Sequence, residues 1–135
     1  MTTTTPAAQP TVEQIMAGMS AGLGGKPVPP MIQLAATVMP DMVLRQAQDS
    51  GFAMPKEGGA LGEKTRTILL LGIALATGSD CVANLVNKAK AQGIDDDVLL
   101  ETFKIARFAE ATRVFNNAVP LLTQLSGKCL SMSLQ

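Results

Sequence analysis

Residues 68–76, ILLLGIALA, carry no charged side chain on any side. A helix that is apolar all round has to be covered all round, so this stretch dictates what the rest of the chain must supply. It is far too short to span a bilayer, which takes about 20 apolar residues. The expectation is a core helix. The polar turn Gly78, Ser79, Asp80 follows it, and then a second helix with Cys81 in its first turn. Ser79 is the predicted N-cap, because its hydroxyl can accept an orphan backbone N–H. Cys81 would then take the second helical position, near the positive end of the helix dipole, where a thiolate is favoured.

The covering has to come from Leu, Ile, Val, Ala and Met. Hydrophobic residues make up 47% of the 135, aromatics only 3%, and there is no Trp or Tyr. That mix favours helices over strands and predicts an all-α fold. Eight methionines suit adaptable packing surfaces. Eleven basic residues balance eleven acidic ones with no basic stripe, which argues against nucleic acid as a partner. The lack of histidine removes the commonest general base and the commonest transition-metal ligand. Cys81 and Cys129 are too few for a disulfide framework or a zinc site, so no metal or cofactor is expected. The opening MTTTTPAAQP lacks the basic and apolar regions of a signal peptide. With no membrane span evident, a cytoplasmic protein with reduced thiols is expected.

In order, residues 1–10 read as a disordered tail, residues 11–126 as one helical domain, and residues 127–135 as a loose C-terminal tail. Thr11 and Gln14 form a capping-box pattern ahead of a helix over residues 12–22. GLGGKPVPP breaks it. Residues 31–39 look helical, Pro40 interrupts that helix or begins a new one at its first turn, and the helical pattern continues to about Ser50, with Gly51 as its stop. A loop follows over residues 51–64, long enough to cover a site or an interface. Gly93 ends the Cys81 helix. Asp95 is the predicted cap of a final helix reaching Leu125, kinked near Asn116, Asn117 and Pro120.

That last helix holds a misfit. At 100° per residue, Leu100, Phe103, Ala111, Val114, Ala118 and Leu121 share one face, with Arg107 in its middle. Thr102, Ala109, Arg113 and Asn116 lie opposite. An arginine among core positions must snorkel, pair, or face a polar pocket or interface. Glu110, Glu63 and Asp80 are the candidate partners.

The stretch GEKTRTILLLGIALATGSDCVANLVNKAKAQGIDDDVLLETFKIARFAEATRVFNNA resembles the core of the carboxymuconolactone decarboxylase family, which includes alkyl hydroperoxidase D-like proteins. The resemblance rests on K-T-R before the apolar helix, A-L-A-T-G at its end, the Ala89 and Gly93 spacing, and D-D-D-V. It covers about residues 60–122. It implies an all-α fold assembled as trimers or hexamers with sites near subunit contacts. The redox branch of the family carries a glutamate, then C-x-x-C, then a histidine four residues later. Counted back from Gly93, Cys81 takes the second-cysteine place and Leu85 the histidine place, with Gly78 or Ser79 at the first cysteine. Thr67 takes the glutamate place when counted forward without a gap. That forward count instead sets Ser79 and Val82 at the cysteines and Val86 at the histidine. In both counts the proton relay is missing.

Cys81, with Ser79 and Asp80 beside it, is the candidate catalytic group, and Arg107 the candidate binder of a small carboxylate. The bland readings are a buried small apolar cysteine and a structural or interface arginine. Cys129 is either a resolving thiol or an unpaired tail thiol. The apolar helix and the Met-bearing N-terminal helices predict burial against copies of the same chain, as a homotrimer or homohexamer. Three functions stay open: a single-cysteine peroxidase-like thiol protein, a cofactor-free lyase-like pocket around Arg107, and a non-catalytic binding or scaffold protein.

Overall fold

The computed structural model describes residues 8–127, so Cys129 and most of both tails lie outside the described residues. Seven α-helices and no strand occur among them. No helix there is long and apolar enough to cross a membrane.

The first helix, α1 (Val12–Gly22), begins on the predicted capping box. Thr11 Oγ1 accepts the Gln14 N–H at 3.2 Å, and Gln14 Oε1 accepts the Thr11 N–H at 2.9 Å. The turn after α1 is tied down at both ends. Ser20 Oγ donates to the Lys26 carbonyl and Gln33 Nε2 to the Val28 carbonyl. Helices α2 (Pro30–Val38) and α3 (Pro40–Ala53) each start on a proline, whose missing N–H costs nothing in a first turn. Gly51 does not stop α3, which runs two residues further. Val28, Ile32 and Val43 form the buried centre of this unit, with Ile15, Met16 and Met19 of α1 packed against them.

The second unit holds the chemistry-bearing residues. Helix α4 (Glu63–Thr77) packs against α5 (Val82–Ala91) and α6 (Asp96–Asn117). Leu71, Ala74 and Leu85 form its buried centre, with Leu70, Leu75, Cys81, Val82, Val86 and Leu99 around them. A short α7 (Val119–Ser126) follows a break at Ala118, so the expected kink is a division into two helices, with Pro120 in the first turn of the second. The two units meet where the turn after α1 reaches the end of α5. A Cβ on Gly24 would stand 3.7 Å from the Ala91 methyl, and Leu23 beside it is buried.

The end of α5 follows from Gly93. At φ +76° it adopts the left-handed conformation. The Gly93 N–H donates to Lys90 and the Ile94 N–H to Ala89, a Schellman closure that buries Ile94.

Two core expectations are corrected. The helix read as apolar on every side buries only Thr67, Leu71 and Ala74, while Leu69 and Ile73 stand about half exposed. On α6 the buried residues are Thr102 and Ala106, not the face of Leu100, Phe103 and Val114, which is open. Small side chains bring α6 close to α4: a Cβ on Gly72 would meet Thr102 Cγ2 at 3.7 Å. The bulky residues are left pointing away.

Candidate functional site

Cys81 sits where α4 turns into α5. Gly78, at φ +72° and ψ 33°, ends α4 in the left-handed conformation that glycine adopts without penalty. The chain then doubles back within three residues. The expected capping is corrected here. Cys81 itself is the N-cap residue of α5, with no side-chain cap hydrogen bond, and the helix starts at Val82. Ser79 lies two residues before the N-cap position, too far back to reach the first helical N–H groups. Its hydroxyl instead accepts the Cys81 N–H at 3.3 Å and lies 2.8 Å from Cys81 Sγ. The thiol is partly buried against the Leu71, Ala74 and Leu85 cluster.

Asp80 is exposed and takes no part in that contact. Ser79 and Cys81 are therefore brought together, while Asp80, the third member of the predicted group, is not. The two residues that the resemblance sets in the glutamate and histidine places are both buried. Thr67 is 1% exposed, and its hydroxyl is turned back to the Glu63 carbonyl at 3.2 Å. Leu85 is 6% exposed. Neither side chain can carry a proton to or from sulfur.

Arg107 is exposed on α6, remote from this turn in sequence, and makes no hydrogen bond or ion pair among the described residues. Its candidate partner Glu110 is held by Arg113 at 2.8 Å. Asp95 has the extended backbone of an N-cap, but its side chain makes no cap hydrogen bond; its carbonyl accepts the Val98 and Leu99 N–H groups. The open depression lined by residues 93–97 is thus a helix start with its acids facing water. A second depression lies between residues 9–15 and α3, lined by Ile15, Leu44 and Ala47. Neither is lined by Cys81 or Arg107. Among the described residues no group of three or more His, Cys, Asp or Glu could hold a metal ion.

Sequence reasoning missed the Ser79–Cys81 contact. The two-residue spacing was visible, but only the tightness of the turn after Gly78 folds the hydroxyl onto the sulfur. No protein-family model matches this chain, and no curated protein matches its sequence.

Proposed function

We propose that this chain keeps a carboxymuconolactone decarboxylase-like helical scaffold without its thiol chemistry, and works as a non-catalytic, homo-oligomeric binding or scaffold protein. One observation carries the reading. The place that the resemblance gives to the relay histidine is filled by Leu85, buried with Leu71 and Ala74 under the only thiol among the described residues. A thiol peroxidase needs a base to take the thiol proton and an acid to protonate the departing alkoxide. An apolar floor supplies neither. The trimer or hexamer expected from the resemblance belongs to this reading, as does a small-molecule ligand held without turnover.

The test is peroxide consumption with an excess of reducing thiol. The expected rate equals that of a Cys81→Ala protein. Repeated turnover of hydrogen peroxide or an alkyl hydroperoxide that vanishes with Cys81→Ala would defeat the reading.

A second reading has one observation in its favour. The Ser79 hydroxyl, 2.8 Å from sulfur, can donate to a thiolate and lower its energy. Cys81 would then act as a redox-sensing thiol. Its thiolate attacks the outer oxygen of a hydroperoxide, and the O–O bond breaks with departure of the alkoxide. The sulfenic acid formed is restored by two external thiols through a mixed disulfide and loss of water. This reading predicts that Ser79→Ala slows alkylation of Cys81 at pH 7 by about two- to tenfold, the weight of one hydrogen bond. Equal rates would remove it.

A further inference from the structure

The accessible surface of the chain is 10,653 Å². A compact monomer of 14.1 kDa exposes about 6,700 Å². Granting the residues outside 8–127 the full surface of an extended chain accounts for about 2,300 Å². The described part still exposes roughly 2,200 Å² more than a compact protein of its mass. A standard interface covers about 800 Å² on each partner. The excess is large enough for an obligate contact.

More of the exposed large apolar side chains lie on α6 than on any other helix. Val98, Leu100, Phe103, Ile105, Phe108, Val114 and Phe115 are all exposed, Phe108 to 72%. Five residues of α6, Leu100, Phe103, Arg107, Ala111 and Val114, follow helical spacing and form a stripe turned away from the Thr102 and Ala106 contact with α4. Arg107 is the only charge in it. A solvated helix face ordinarily carries charges along its length.

We infer that two copies of this chain pair through this stripe, laid antiparallel on each other. Charge decides the direction. Parallel pairing about a two-fold axis sets Arg107 against its own copy, and like charges across a contact are unfavourable. Antiparallel pairing that puts Phe103 against the partner's Val114 sets Arg107 opposite the partner's Ala111 and Glu110, whose carboxylate accepts from Arg113 through Oε2 and keeps Oε1 for Arg107. The contact is isologous and yields a dimer or an assembly of even number, the hexamer included. It rests on the oligomeric reading above and adds the surface and its direction.

Light scattering on the full chain across micromolar concentrations gives the first measurement. The expected result is an even-numbered assembly. Phe103→Glu and Val114→Glu each weaken it at least tenfold, and together they give a monomer. Both side chains are more than half exposed, so circular dichroism should show unchanged helix content. The second measurement fixes direction. In a Cys81→Ser, Cys129→Ser background, Phe103→Cys and Val114→Cys proteins form a mixed disulfide when combined, and neither links to itself. An assembly that survives both glutamates, a trimer, or self-linking of either cysteine variant overturns this inference and leaves the oligomeric reading standing. A monomeric full chain overturns both. So does a chain that self-associates only after residues 128–135 are removed, since that assigns the stripe to its own C-terminus.

Discussion

A serine hydroxyl 2.8 Å from a cysteine sulfur is a contact that one glycine makes possible. Gly78 in the left-handed conformation turns the chain sharply enough for Ser79 to reach Cys81 rather than the first turn of α5. What lies under the thiol matters more for chemistry than what lies beside it. Leu85→His would return an imidazole to the place the resemblance reserves for it, but into a cluster with no hydrogen-bonding partner in view. The expected outcome is a loss of roughly 1–3 kcal/mol, the cost of burying an unsatisfied polar group, read as a lower urea midpoint with no gain in peroxide turnover. Leu71→Ala in the same cluster removes a side chain that is 2% exposed. It should cost about 2–5 kcal/mol in the same measurement.

At the scale of elements, the α4–α6 pair shows why helix faces were hard to assign. Both helices are apolar on more than one side, so periodicity offers several stripes and no preference among them. The folded pair set Gly72 against Thr102, because small side chains let backbones approach closely. Gly72 is not packed to its limit. A Cβ there meets Thr102 Cγ2 at an ordinary 3.7 Å. Gly72→Ala should therefore raise stability by about 0.5–1 kcal/mol through helix propensity, seen as a higher Tm. Gly93→Ala should act in the opposite sense. The φ of +76° that closes α5 is unfavourable for alanine by roughly 1–2 kcal/mol, and the change should lower Tm by several degrees.

At the scale of the molecule, two small apolar centres stand in place of one large one among the described residues, and nineteen large hydrophobic side chains there remain exposed. Thermal unfolding should accordingly depend on protein concentration, since assembly stabilises the folded chain by mass action. A Tm that stays constant over a hundredfold dilution would mean the surface is not used for self-association. The sequence alone determined the helical class, the capping box at Thr11, a helix start at Pro40, and the glycine stops at Gly78 and Gly93. Those features act over a few residues, and local backbone chemistry settles them. Which face of α6 turns inward, where the Ser79 hydroxyl points, and which apolar residues stay uncovered were decided only by tertiary structure. A helix apolar on several sides has no preferred inward stripe until a neighbour arrives, and the closest approach, through the smallest side chains, then makes the choice.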